Sequence, residues 1–119
     1  MRILFIDDVR EPTPGFRKTF EISKHAEVLT AKSSQEALYI LMHDKNFDEI
    51  WFDYDLGIIN DVKDTTMPIA HYLGELSYED NLGPLEGVSC IIHTPDPVGR
   101  EILAAALKRW NFTVLHLVD

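Results

Sequence analysis

The chain is poor in cysteine and in basic charge, and it has no long apolar run. Its single cysteine, Cys90, rules out an internal disulfide. That residue lies within Val88-Ser89-Cys90-Ile91-Ile92 and reads as a small core residue of a reducing compartment. Eleven Lys and Arg stand against twenty Asp and Glu, a formal charge of −9. The deficit argues against an extended nucleic-acid surface, because affinity for a phosphate backbone comes from Lys and Arg. It leaves room for one phosphorylated small molecule, or for an RNA end held by a few residues. Most of the acids read as a solvated, self-repelling surface. No apolar stretch approaches the roughly 20 residues of a membrane helix. The first strand pattern begins at Arg2 and meets charge by Asp7, so no signal peptide opens the chain. The expected location is cytoplasmic, without a membrane partner. Repeats, low-complexity tracts and linkers are lacking too, and residues 1–119 are expected to form one domain.

What remains is 45% hydrophobic and arranged in short segments. Arg2 to Ile6, Glu27 to Thr30, Asp48 to Asp53, Val88 to Ile92 and Phe112 to Val118 read as strands, several of them apolar on consecutive positions as in a sheet buried on both faces. Ser33 and Glu36 form a capping box before Ala37, Leu38 and Leu41, so a helix starts there and fades near His43. Met67 to Leu76 is a second helix, with Thr65 or Thr66 as N-cap. Asp96-Pro97 opens a third, carrying Val98, Ile102, Leu103, Ala106 and Leu107 at helical spacing. Phe16 to His25 fits either a short helix or a loop, and Gly57 to Thr66 and Ser77 to Gly87 read as surface loops. Strands alternating with helices predict an α/β three-layer sandwich of flavodoxin type, its five-stranded parallel sheet in the order 2-1-3-4-5.

In that order the first, third and fourth strands are neighbours. Their polar ends, Asp7-Asp8, Asp53-Tyr54-Asp55 and His93-Thr94-Pro95-Asp96, then converge at the sheet edge where ligands bind. Carboxylates meeting there repel one another unless a divalent cation neutralises them, and oxygen ligands suit Mg²⁺ or Mn²⁺. Asp7, Asp8 and Asp53 are the candidate ligands; a single aspartate would be read as hydrogen-bonding loop amides, but three at adjacent strand ends favour a metal. Asp55 has two readings: alternation points it away from Asp53, while the turn into Leu56-Gly57 brings it back. His93, followed by a hydroxyl and a helix start, is either a structural histidine or a general acid and base. The amides opening the helix at Pro97 to Arg100 are candidate phosphate donors, with Gly99 permitting close approach. Arg10 and Arg100 are the basic residues placed to grip a phosphate, the latter competing with a solvated first-turn position.

These residues resemble a receiver domain, the response-regulator fold. The resemblance implies that Asp7-Asp8 are an acidic metal pair, Asp53 the phosphate-accepting aspartate and Thr94 the accompanying hydroxyl. Ordinary receivers carry a lysine just after the fifth strand, and Leu117-Val118-Asp119 supplies none. A divergent branch, the cyclic-phosphate processing receiver-like domains, is more similar. Its members read approximately Asp-Asp-x-Arg-x-Pro, Asp-His-Asp-Leu-Gly and His-Ser-x-Asn-Pro-x-Gly after the same strands. Here the blocks are Asp7-Asp8-Val9-Arg10-Glu11-Pro12, Asp53-Tyr54-Asp55-Leu56-Gly57 and His93-Thr94-Pro95-Asp96-Pro97-Val98-Gly99. Tyr54 stands for a histidine, Thr94 for a serine and Asp96 for an asparagine. The resemblance implies phosphoesterase-type chemistry on cyclic phosphates, with RNA ends among the substrates. The competing expectation is a stand-alone or degenerate receiver acting in signalling or protein binding.

Overall fold

The structure, a computed structural model, describes residues 1–117. In chain order it contains β1 (Arg2–Ile6), α1 (Pro14–Thr19), β2 (Glu27–Ala31), α2 (Ser34–His43), β3 (Glu49–Phe52), β4 (Asp55–Ile59), β5 (Val62–Thr65), α3 (Met67–Tyr78), β6 (Ser89–Ile92), α4 (Pro97–Lys108) and β7 (Thr113–His116). Five of the strands form one parallel sheet, β2-β1-β3-β6-β7. This is the predicted order once the sheet strands alone are counted.

Alternation along the strands sorts their side chains into two cores. Leu4, Ile6, Ile50, Phe52, Cys90 and Ile92 face α2, α3 and α4, where Leu41, Ile69, Leu73, Leu103 and Leu107 meet them. Each such fully buried aliphatic or aromatic side chain contributes about 1.5–3 kcal/mol. Ile3, Phe5, Trp51 and Ile91 point the other way, onto Phe16, Phe20, Ile22 and Ala26. Among the described residues, α1 is the helix on that side. A groove of about 320 Å³ remains beside it, lined in part by Ile3, Phe20, Trp51, Ile91 and Leu115. Burial pushes the Cys90 thiol up to about 12, so it is an inert core group.

The caps explain where the helices begin. Ser33 accepts the Glu36 amide at 3.1 Å, while Glu36 reaches back to the amide of Lys32. Asp96 accepts the Val98 amide at 3.0 Å with Pro97 in the first turn of α4. Thr66 precedes α3, yet its hydroxyl is used elsewhere; the Thr65 hydroxyl accepts the Met67 amide instead.

Several boundaries differ from expectation. The ambiguous segment after Pro14 is one short helix ending at Thr19. The span expected as a loop after Leu76 continues α3 to Tyr78 and closes with a 3-10 turn at Gly83–Leu85, whose Leu82 and Leu85 reach the core. Strand β7 is shorter than expected, and Val118 lies outside the described residues. The main correction concerns Gly57 to Thr66, which is a β-hairpin and not an irregular loop. Ile59 pairs with Val62, and Asn60 and Asp61 between them both have positive φ (51° and 63°). Two residues in that conformation make the tight turn whose twist matches paired strands, and Asn and Asp tolerate it better than most residues.

An isolated two-stranded hairpin is marginal in water, and this one is tied to the domain. Leu56 is buried in the core, and Asp64 accepts the Ser34 amide at 2.8 Å as well as the Ser34 hydroxyl, at the positive end of α2. Replacing Asp64 by Ala should destabilise the domain by about 1–2 kcal/mol. Hydrogen exchange should then lose protection at the hairpin amides while those of β1 and β3 stay protected; unchanged hairpin protection would refute this anchor.

Candidate functional site

The ladder brings the site residues level. Where each strand ends, the next amide bonds to the last carbonyl of its neighbour: Asp7 to Ala31 at 3.0 Å, Asp53 to Ile6 at 3.0 Å and His93 to Phe52 at 2.9 Å. Asp7, Asp53 and His93 therefore stand side by side across β1, β3 and β6. One carboxylate oxygen from each of Asp7, Asp8 and Asp53 lies within 4.8 Å of the others, so these three residues can hold a metal ion.

Asp7 is almost fully buried, and its charge is satisfied from its own loop. One oxygen accepts the amides of Val9 and Arg10, each at 2.9 Å, and the other accepts Arg10 Nε at 2.8 Å. Asp8 is half-buried beside Gly57 of the hairpin. A Cβ at Gly57 would come 3.1 Å from the Asp8 carboxylate, and φ there is +86°, so glycine answers both space and backbone. Asp53 is buried and accepts its neighbour's amide, that of Tyr54, at 2.8 Å. Burial pushes its carboxyl up to about 6, with the Asp7 charge adding to the rise; the Tyr54 amide, Arg10 and Thr94 offset part of it. Asp55 is exposed, accepts the Gly57 amide at 2.9 Å and stays outside the cluster.

The fit to a divalent cation is direct. Three carboxylates present hard oxygen donors, and one guanidinium, that of Arg10, adjoins them. Among the described residues, three negative charges against one positive leave two, which a single divalent ion would neutralise.

Arg10 bridges the strand ends. Its Nη2 donates to the His93 carbonyl at 2.6 Å, lies 3.1 Å from His93 Nδ1 and stands 4.0 Å from the Asp53 carboxylate. The His93 ring is 1% exposed and stacks on Phe5, with centroids 4.9 Å apart. Burial, reinforced by the Arg10 charge and opposed by Asp7, pushes it down to about 4. Its Nε2 is buried with no hydrogen-bond partner among the described residues. Sequence reasoning considered this histidine for proton transfer; the fold presents a neutral, enclosed ring with one nitrogen facing a guanidinium. Thr94 is buried next to it, its hydroxyl accepting the Asp96 amide at 3.3 Å.

The start of α4 departs from expectation. A Cβ at Gly99 would lie 2.4 Å from the Tyr54 ring, so that glycine makes room for an aromatic side chain and not for a phosphate. The Val98 amide is held by Asp96, and the Arg100 amide bonds to the Asp96 carbonyl at 2.9 Å. The Arg100 side chain turns back to the Thr94 carbonyl at 3.1 Å. Thr66 is a contributor that sequence reasoning missed as part of the site. Its buried hydroxyl donates to the Asp53 carbonyl at 2.6 Å, and its amide bonds to the Tyr54 carbonyl at 3.0 Å. The hairpin exit is thereby stitched to the strand end that carries Asp53.

The sequence matches the family model of the cyclic-phosphate processing receiver domain over residues 2–109. No curated protein matches the chain. Among solved structures, a response regulator receiver domain from Clostridium thermocellum is 26% identical with a TM-score of 0.60, the match covering 99% of this chain and 82% of that one. The Thermotoga maritima response regulator TrrA, in complex with Mg²⁺ and BeF, is 20% identical with a TM-score of 0.58, covering 98% and 86%. A Francisella response regulator receiver domain is 19% identical with a TM-score of 0.53, covering 97% and 82%. The last two likenesses, at this identity, show a shared fold.

Electrostatic crowding gives Asp53 a signature in stability. A carboxyl raised from 3.8 to about 6 binds more protons folded than unfolded between those values, so its contribution to stability is lost as pH rises through that window. His93, lowered from 6.5 to about 4, works in the opposite sense over much the same range. The two largely offset each other in the unaltered protein, but His93 is common to both sides of a comparison with Asp53→Asn. In EDTA the two proteins should be equally stable near pH 4, and the variant more stable by on the order of 2–3 kcal/mol above pH 7. Urea unfolding at each pH tests this, and a pH-independent difference would refute it. Added Mg²⁺ should stabilise the unaltered protein more than the variant.

Proposed function

The chain belongs to the cyclic-phosphate processing receiver domains, and we propose from that premise that it opens cyclic phosphodiesters, those at RNA ends among them, in the cytoplasm. The observation that carries this reading is the meeting of Asp7, Asp8 and Asp53 beside Arg10 and Thr94 at neighbouring strand ends. Mg²⁺ or Mn²⁺, held by the three aspartates, would supply polarisation of a phosphoryl oxygen.

The remaining work falls to the chain's own groups. Arg10 offsets charge that grows on the phosphoryl oxygens, and the Thr94 hydroxyl donates to one of them. Water adds across one ester bond of the ring: its oxygen bonds to phosphorus, the bond to the 2′ or 3′ oxygen breaks, and a proton goes to that leaving oxygen. His93 is assigned no proton in this scheme, because its ring is enclosed and one nitrogen already faces Arg10. The strongly negative surface, −9 overall, suits a small or terminal phosphate over a long polyanion.

A second reading, phosphorylation of Asp53 as in a signalling receiver, draws on the position of that carboxylate at the end of β3 and on the likeness to response regulators. Leu117, the described residue that follows β7, is not the lysine expected after that strand in such domains. Acetyl phosphate followed by intact-mass analysis separates the two, since only a signalling receiver gains a phosphoryl group.

A short RNA ending in a 2′,3′-cyclic phosphate, incubated with Mg²⁺ or Mn²⁺ against EDTA, tests the enzymatic reading. Turnover should require the metal and fall at least about 100-fold in Asp53→Asn. Absence of turnover with either ion on RNA and mononucleotide cyclic phosphates would sink it.

A further inference from the structure

We propose that His93 is a positioning residue: its Nδ1 and its backbone carbonyl lock the Arg10 guanidinium beside Asp53 as a fixed cation. The inference rests on the metal and phosphate reading of the site and deepens it.

Arginine carries about 2 kcal/mol of rotamer entropy, and Arg10 sits in a loop beside three carboxylates. Left to itself, such a side chain would fold onto whichever acid attracted it most, and an ion pair with Asp53 would compete directly with a metal. The structure holds it differently. Nε goes to Asp7 at 2.8 Å, and Nη2 goes to the His93 carbonyl at 2.6 Å and faces His93 Nδ1 at 3.1 Å. Nη2 stays 4.0 Å from Asp53, near enough to act on its charge and too far for a hydrogen bond.

The same contact settles which nitrogen of His93 carries the proton. An arginine N–H can only donate, so with this contact made Nδ1 accepts and the proton lies on Nε2, which has no partner among the described residues. The ring cannot swing away to exchange these roles. Phe5 stacks on it, Trp51 lies with its centroid 5.8 Å away, and the edge of Phe16 closes a third side at 6.4 Å. An apolar cage therefore fixes an acceptor, and the acceptor fixes a cation. Phe5, Trp51 and Phe16, which pack together in the core on this face, also belong to the support of the site.

The test uses three variants. His93→Leu keeps bulk without an acceptor, His93→Asn restores an acceptor near the position of Nδ1, and Arg10→Met removes the cation. The first measurement is the ¹⁵N–¹H signal of Arg10 Nε by NMR. It should be sharp and slow to exchange in the unaltered protein, broader and faster to exchange in His93→Leu, where Asp7 and the backbone carbonyl remain, and restored in His93→Asn. The second is affinity for inorganic phosphate with saturating Mg²⁺, which should fall roughly tenfold or more in His93→Leu and in Arg10→Met. The double variant should be no weaker than either single one, and His93→Asn should recover most of the loss. An Nε signal unchanged in width and exchange in His93→Leu, additive losses in the double variant, or Asn faring no better than Leu would overturn the proposal. If the unaltered protein binds no phosphate while the Nε signal responds as described, the positioning stands and the phosphoester function falls.

Discussion

Everything at the site depends on one register: the Asp53 amide bonded to the Ile6 carbonyl, and the His93 amide bonded to the Phe52 carbonyl. Those two bonds continue the ladder a single residue beyond the apolar strands and set the polar ends abreast. A slip of one residue would turn Asp7 or Asp53 into the opposite core and scatter the cluster. The strands resist such a slip because both of their faces are buried, with Leu4, Ile6, Ile50 and Phe52 on one side and Ile3, Phe5 and Trp51 on the other. The hydrophobic cores thus hold acids together that would otherwise separate. The cost shows in Asp53, whose carboxyl is pushed up to about 6 by burial and by its neighbour Asp7.

Charge balance gives that crowding a chemical direction. Asp7 already spends both oxygens on Val9 and Arg10, so it anchors the loop as much as it offers a ligand. Asp8 and Asp53 are the less committed donors, and Gly57 leaves room beside the first of them. The positive charge comes from the loop after β1, where the Asp7-Asp8-Val9-Arg10 spacing carries it. Placing the cation in the loop of two of the clustered aspartates couples the two. Whatever orders Asp7 also orders Arg10.

The parallel sheet, its order and the convergence of three strand ends were legible in the sequence because runs such as Leu4-Phe5-Ile6-Asp7-Asp8 join burial and chemistry in one segment. The hairpin was missed because its signal is short. Asn60-Asp61 between Ile58-Ile59 and Val62 is a two-residue turn between β-formers, but Gly57 and the charged Lys63-Asp64 masked the alternation around it. Gly99 is partly legible for a different reason: a glycine at a helix start signals close approach without saying what approaches. Here the partner is Tyr54, distant in sequence and adjacent in space. The enclosure of His93 could not be read either, since it arises from Phe5, Phe16 and Trp51 on separate segments, none of which carries a polar mark.

Tyr54 and Asp96 together change how an anion can be held. A helix N-terminus ordinarily offers unpaired amides to a phosphate. In α4 the Val98 amide is taken by the Asp96 carboxylate, the space over Gly99 is filled by the Tyr54 ring, and Arg100 bends inward to the Thr94 carbonyl. The Val98 amide and the space over Gly99 are taken on that side, and a negative charge has been added. On the proposed function, anion recognition falls to the β1 and β3 side, where Arg10 stands beside Asp53 and the Thr94 hydroxyl faces the same edge. The two substitutions relative to the family pattern therefore act in the same direction. On the proposed function they weaken the helix as an anion donor and leave more of the recognition to the arginine that Asp7 and His93 hold.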